Sequence, residues 1–340
     1  MKKKLLTLML AVLVLFSFTA CSNSKETTKD KDKDEVKAEK QLETADEFYA
    51  KMQNLKNVRP IAVMIDNDTD DARPQMGLES AYMVYEIVVE GKATRFMALF
   101  KDFELDKVGP VRSSRHYFLD YALENNAIYA HAGWSPKAAK DISSLGVNNI
   151  NGVAADGDIY WRDNTYDNTW HNLYTSTKNL SERADRKGYS RNNDGMLLEY
   201  NPEDTVPEGE SVSEISIPYA DFYQVSYKYD ENAKNFVRYV NGKTHDSQTG
   251  NALTAKNIIM YTVQNVNLPD TENKGRQDLK NIGSGTGYYF SDGKVVEIKW
   301  SKETRTGKTE YTLSDGTPLV LNPGNTFVQI VPTYAKATFK

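Results

Sequence analysis

The sequence predicts an α+β fold, a mixed α/β N-terminal domain over residues 56–205 followed by a β-rich C-terminal domain over 206–340. Three observations predict it. Apolar runs of strand length alternate with helix-spaced segments in the first half. The second half is a succession of short strand patterns punctuated by Asn-Gly and Asp-Gly pairs, the strongest short hairpin signal. Between them, Asn201-Pro202-Glu203-Asp204-Thr205-Val206-Pro207-Glu208-Gly209 is polar and proline-rich, as domain boundaries are.

The N-terminus precedes the fold. Met1-Lys2-Lys3-Lys4 is basic, and Leu5 to Phe18 is apolar apart from Thr7 and Ser17. That run is shorter than the about 20 residues of a membrane span, and the pattern is a signal peptide over residues 1–20. Phe18-Thr19-Ala20-Cys21 resembles a lipobox, although Phe18 stands where leucine is usual. The resemblance implies cleavage before Cys21 and a lipid, palmitate included, on its thiol. Cys21 is the chain's one cysteine, so no disulfide framework exists. Residues 21–55 then read as lipidated cysteine and flexible charged tether, because Ser24 to Glu35 has almost no apolar content to bury. Loss of Lys2, Lys3 and Lys4 takes the net charge from -5 to -5 - 3 = -8. An acidic mature chain argues against nucleic acid as a partner.

The elements follow in order. A short helix is read over Thr44 to Asn54. Ile61-Ala62-Val63-Met64-Ile65 is a buried strand. Met83 to Val89 and Thr94 to Phe100 read as a hairpin about Gly91-Lys92. Ser113 or Ser114 caps a helix reaching Glu124, and Ile128 to Ala132 is a strand. Ser135 is an N-cap with Pro136 at the first helical position, and Gly146 stops that helix. Thr177 to Lys187 is a last helix, ended by Gly188. The strand candidates beyond are 222–229, 236–240, 257–266, 287–290, 294–300, 309–313, 318–321 and 326–331. Their turns are Asn241-Gly242, Asp292-Gly293 and Asp315-Gly316.

Candidate chemistry concentrates in the first half. A two-residue turn at Gly91-Lys92 would set Val88 opposite Arg95, with Glu86 and Glu90 on the same face and within reach of the guanidinium. Arg112 and Arg115 flank Ser113 and Ser114 where a helix is expected to begin. Two cations there oppose the helix dipole, which points either to a bound anion or to pairing with Glu86 and Glu90. His131 and the pair Asp66-Asn67 end strands, where α/β proteins gather ligands. Ser135, Arg73 in a turn, Arg162 beside Trp161, and His171 beside Trp170 complete the candidates. The tryptophans suit sugar rings or half-buried loop anchors. G-x-S-x-G, Walker and H-E-x-x-H motifs are absent, and the histidines lack metal-ligand spacing, so no metal and no cofactor is expected.

Several longer motifs carry a family resemblance. Pro60 to Asn67, Arg73-Pro74-Gln75-Met76-Gly77-Leu78, Val84 to Gly91 and Thr94-Arg95-Phe96 resemble the YerB-like lipoproteins of Gram-positive bacteria. So do Gly109-Pro110-Val111-Arg112-Ser113-Ser114-Arg115 and His131-Ala132-Gly133-Trp134-Ser135-Pro136. Gly275-Arg276-Gln277-Asp278, Gly283 to Gly287 and Leu321 to Thr326 are similar to the β-rich C-terminal domain of that family. Lys92 and Trp134 depart from it, where glycine is usual. The resemblance implies a two-domain envelope lipoprotein, and no reaction. By residue chemistry and compartment alone, the arginines are also similar to those of phosphotransferases that attach anionic polymers to peptidoglycan.

The expectation is a lipoprotein anchored by Cys21 on the extracytoplasmic face of the membrane. Its arginine-rich cleft would bind an anionic or glycan wall ligand, such as peptidoglycan or a wall polymer, or an envelope protein. The alternative is a wall-active hydrolase or phosphotransferase using the same Arg/Glu/His cluster. Convergence of the guanidinium groups on one guest is what both readings require.

Overall fold

The run Ile61-Ala62-Val63-Met64-Ile65 is apolar on both pleat faces, so it belongs inside a sheet covered on both sides. A computed structural model describes residues 43–340 other than 168, 270 and 271. The signal peptide, Cys21 and most of the tether lie outside the described residues. Residues 43–340 form one compact unit.

Its first half contains α1 (Ala45–Asn54), β1 (Ile61–Asn67), β2 (Met83–Val88), β3 (Thr94–Phe100), α2 (Phe118–Glu124), β4 (Ile128–His131), α3 (Pro136–Ser144), β5 (Asn149–Asn151) and α4 (Thr177–Arg186). The second half supplies β6 (Glu214–Ala220), β7 (Tyr223–Asp230), β8 (Asn235–Val240), β9 (Asn257–Val263), β10 (Gly283–Ser291), β11 (Lys294–Lys302), β12 (Glu310–Leu313) and β13 (Thr326–Pro332). The fold is α+β. The large sheet has the order β12-β11-β10-β9-β13-β2-β3-β1-β4-β5. β13 runs parallel to both β9 and β2, so strands from the two halves of the sequence share one sheet. β6, β7 and β8 are neighbours in a second, smaller sheet.

Burial explains the layers. One face of the large sheet packs on α1, α2 and α3 through Phe48, Met52, Phe118, Leu119 and Ile142. The other packs on the small sheet and α4 through Ile215, Ile217, Val225, Leu180 and Ala184. β1, β2, β3 and β13 are buried along their whole length.

Local chemistry sets most boundaries. Thr44 and Glu47 form a reciprocal capping box that starts α1. Ser135 caps α3 by accepting from the Ala138 amide, with Pro136 at the first turn. Asn241-Gly242 and Asp292-Gly293 adopt positive φ at both positions, as two-residue hairpins require.

Four expectations are corrected. The β2–β3 register is not the expected one, because Val88 pairs with Thr94 and Ile87 with Arg95. Gly91 and Lys92 do both take positive φ, 64° and 65°, and the Ala93 amide donates to the Glu90 carbonyl, but the Ala93 carbonyl accepts from Val89, so Glu90 is one residue extra ahead of the turn. The one-residue shift moves Arg95 to the sheet face opposite Glu86. Next, α2 begins at Phe118 with Tyr117 at its N-cap, so neither Ser113 nor Ser114 caps it; Arg112 lies in the lead-in, and Arg115 stands two residues before the cap, its carbonyl accepting from the Phe118 amide. Residues 318–321 make only isolated bridges. Finally, β6 was not among the expected strands; Pro218 within it disguised a strand that alternates buried and half-buried residues.

Candidate functional site

The carboxyl end of β1 is where the chain gathers polar side chains. The lead-in to α2 is stitched beside it, with the Arg112 amide donating to the Met64 carbonyl, Ala132 to Arg112, and Ser114 to Gly133. The loop before α4 closes over this end and delivers His171.

Asp66 is fully buried. His171 donates from Nδ1 to its Oδ2 at 2.7 Å. Arg112 Nε lies 3.0 Å from the same oxygen, an ion contact without the angle of a hydrogen bond, and Arg112 Nη2 lies 3.5 Å from Asp68. Arg95 grips Asp68 with two bonds, 3.2 and 3.0 Å, and donates to the Ser113 carbonyl at 2.8 Å. Burial pushes the Asp66 carboxyl up, but the His171 bond and the Arg112 and Arg95 charges outweigh it and hold it below its ordinary range. The bond to Asp66 lifts His171 above its ordinary value, against burial and Arg112.

A groove of about 480 Å³ opens alongside, lined by Asp68, Asp70, Arg73, Glu90, Arg95, Phe222 and Tyr223. Arg73 donates to Asn67 Oδ1 at 2.7 Å, pairs with Asp70 at 2.5 Å and lies over the Tyr223 ring. Glu90 accepts from Arg115 Nε at 2.6 Å, and Phe222 is 55% exposed. Trp170, 66% exposed, sits over Arg112 and edge-on to His171.

The candidates therefore divide. Asp66, Arg95, Arg112 and His171 meet in one cluster. Asn67 and Arg73 border the groove, and Glu90 with Arg115 forms its rim. Glu86 is not part of the exposed site; it is fully buried and bonded to Arg238. His131 is sequestered as well, with Nδ1 on the Gly133 carbonyl at 2.8 Å and Nε2 facing Asn149 at 3.2 Å. Burial pushes its pKa down, so it stays neutral. Ser113 donates to the Ala132 carbonyl, Ser114 accepts from Tyr129, and Ser135 caps α3. Arg162 holds Asn172 in the loop. Asp68, Asp70, Phe222 and Tyr223 were not among the candidates. The acidic run Asp68 to Asp71 after a strand was a usable signal for the first two, but nothing local marks the other two.

One correction concerns charge. Arg73, Arg95, Arg112 and Arg115 each pair with a carboxylate of Asp66, Asp68, Asp70 or Glu90. Four guanidinium groups meet four carboxylates, so no arginine of the cluster is left without an anion. Among the described residues no group of three or more His, Asp or Glu is arranged to hold a metal, and no helix is long and apolar enough to cross a membrane.

Comparison with known proteins fixes the family. Residues 49–190 match the N-terminal domain, and residues 215–328 the C-terminal domain, of a family described as "Protein of unknown function (DUF3048)". The chain belongs to the DUF3048 family. Similar to this DUF3048 chain is "Putative lipoprotein YerB" of Bacillus subtilis (strain 168), 33% identical over 300 residues that cover 85% of this chain and 88% of the relative. The crystal structure of YerB protein from Bacillus subtilis superposes with a TM-score of 0.73 at 31% identity, covering 85% of this chain and 96% of that one. The YerB-like resemblance of the sequence motifs is thus shown, and the relative's name points to membrane anchoring in the envelope.

The Asp66–His171 pair gives this DUF3048 chain a pH dependence. Raised from its ordinary 6.5, His171 contributes stability fully present below about that pH and lost as pH rises through its higher folded value. Asp66, lowered from its ordinary 3.8, contributes stability lost only as pH falls through its still lower folded value. Urea unfolding of wild type and His171→Asn is expected to differ most at about pH 5 and least at about pH 9. A difference independent of pH would show that the imidazolium–carboxylate pair contributes nothing.

Proposed function

We propose that this chain is a lipoprotein held by a lipid on Cys21 at the outer face of the cytoplasmic membrane, and that its groove binds cell-wall glycan. The observation that carries the reading is the pairing of balanced charges with exposed aromatic rings. A polyanion would meet Asp68, Asp70 and Glu90 together with the arginines, and attraction and repulsion would offset each other. A sugar hydroxyl can donate to a carboxylate and accept from its guanidinium partner at once, so an Asp–Arg pair suits it. Phe222 and Trp170 offer flat apolar faces for the rings, leaving hydroxyls to the ion pairs.

Titration of the full chain with N-acetylated glycan-strand fragments tests the reading. Phe222→Ala is expected to weaken binding about tenfold, equivalent to about 1.4 kcal/mol, without moving the urea midpoint. Polyphosphate is expected to bind weakly or not at all. Tight polyphosphate binding that falls steeply with salt, with no glycan binding, would return the groove to an anionic ligand. In fractionated cells, Cys21→Ala is expected to move the protein from the membrane to the soluble fraction.

A further inference from the structure

His171 differs from the histidines that serve the fold. His245 is bonded at both ring nitrogens, by Arg238 at Nδ1 and to Gln75 at Nε2, and His131 likewise engages two partners. His171 bonds only through Nδ1, to Asp66. Its Nε2 has no partner among the described residues, yet is not one of the buried unpartnered atoms, so it touches solvent. Because Asp66 accepts at Nδ1, the deprotonated ring carries its lone pair on Nε2, the nitrogen that meets solvent within the 4% of the residue left exposed. Asp66 itself cannot turn. Its amide donates to the Pro110 carbonyl, its carbonyl accepts from Gln75, and Oδ1 accepts from the Asp68 amide. His116 also bonds one carboxylate, Asp278 at 2.7 Å, but its ring neighbour is buried Tyr117, and among the described residues no arginine ion pair is made to that carboxylate.

Beside the open nitrogen stand exposed Trp170 and Arg112, whose Nη1 has no partner among the described residues. A buried carboxylate orienting a histidine whose second nitrogen faces a polar, aromatic-flanked surface is the geometry of a general base. We propose that Asp66 and His171 form a proton-transfer dyad that hydrolyses an acyl ester carried on the bound glycan. The proposal rests on the glycan reading for the substrate's backbone. In the first step a water oxygen bonds to the ester carbonyl carbon and its proton passes to His171 Nε2. The tetrahedral oxyanion forms beside the Arg112 guanidinium. In the second step the carbon–oxygen bond to the sugar breaks, and the departing alkoxide takes the proton back from Nε2. A free carboxylic acid and a sugar hydroxyl are left. Glycosidic cleavage fits less well, because it needs a protonated carboxyl to donate to the leaving oxygen. Asp66 and Glu90 are each held below the ordinary carboxylate range, in part by the arginine each pairs with.

The test uses the full chain in detergent with two probes, p-nitrophenyl acetate and O-acetylated peptidoglycan fragments. Wild type is expected to release acetate from both, with kcat rising through a single ionisation. Asp66, Arg112 and Asp167 are the charged groups that set its midpoint. His171→Asn is expected to lower kcat by about 100-fold or more with KM almost unchanged. Asp66→Asn, removing the anion, is expected to lower kcat and shift the midpoint to lower pH. His116→Asn, which loses a comparable histidine–carboxylate bond elsewhere, is expected to retain the wild-type rate. No acetate release by wild type from either probe, or equal rates for wild type and a folded His171→Asn, overturns the proposal. Glycan binding without acetate release overturns the dyad and leaves the binding reading standing. His171-dependent hydrolysis of p-nitrophenyl acetate without glycan binding supports the dyad and defeats the glycan reading.

Discussion

Arg238→Met is expected to destabilise the protein by about 3–5 kcal/mol, the range for removing one member of a buried ion pair. Arg238 and Glu86 are both fully buried, and Nη2 lies 2.8 Å from Oε2. The guanidinium also donates to Tyr223, Tyr227 and His245. Glu86 accepts from Thr94 at 2.8 Å and from Tyr223 at 2.6 Å. Burial and Arg238 push His245 far below its ordinary pKa, so it is the neutral acceptor that Arg238 needs. Methionine conserves much of the volume but leaves a carboxylate without its cation in the interior, along with a His245 Nδ1 that has lost its donor. Urea unfolding reads the loss as a fall in midpoint at nearly constant slope. The double variant Glu86→Leu with Arg238→Met is expected to lose less than Arg238→Met alone, since the uncompensated charge is gone. A single-variant loss under about 1 kcal/mol would mean that the pair is not desolvated as described.

Lys302→Met is expected to cost a similar about 3–5 kcal/mol. Lys302 Nζ lies 2.7 Å from Glu124 Oε2, with side-chain exposures of 1% and 0%. Tyr85 and Thr309 also donate to Glu124. This pair joins the end of α2 to β11, so its loss loosens packing between segments nearly 180 residues apart, the pair itself being separated by 178. Faster amide exchange in β11 and α2 is expected, without a matching change in β7 and β8. Uniform exchange changes across the protein, or none, would contradict a local seam of this kind.

The two seams also show where a sequence stops being legible. Capping chemistry is short-range, so Ser135 with Pro136 announced its helix within two residues, while the Thr44–Glu47 capping box of α1 was equally local but went unread. Positive-φ pairs likewise announced the hairpins at 241–242 and 292–293. The β2–β3 register failed, because the Ala93 carbonyl accepts from Val89 rather than Glu90, which leaves one residue extra before the Gly91-Lys92 turn. That extra residue decided which face Arg95 occupies, and therefore that it binds Asp68 instead of Glu86. Arg238, Lys302 and Tyr223 drew no notice, since nothing adjacent to them in sequence explains a buried charge or a groove wall.

By itself the sequence determined the α+β class, the YerB-like family and most strands, and it nominated Asp66, Arg95, Arg112 and His171 among fourteen candidates. Each depends on patterns a few residues long or on long shared motifs. Tertiary structure alone decided that every clustered arginine meets a carboxylate, that Glu86 and His131 are withdrawn into the interior, and that β13 unites both halves in one sheet. The physical reason is that ion pairing and burial depend on distances across the fold, which neither periodicity nor local propensity encodes.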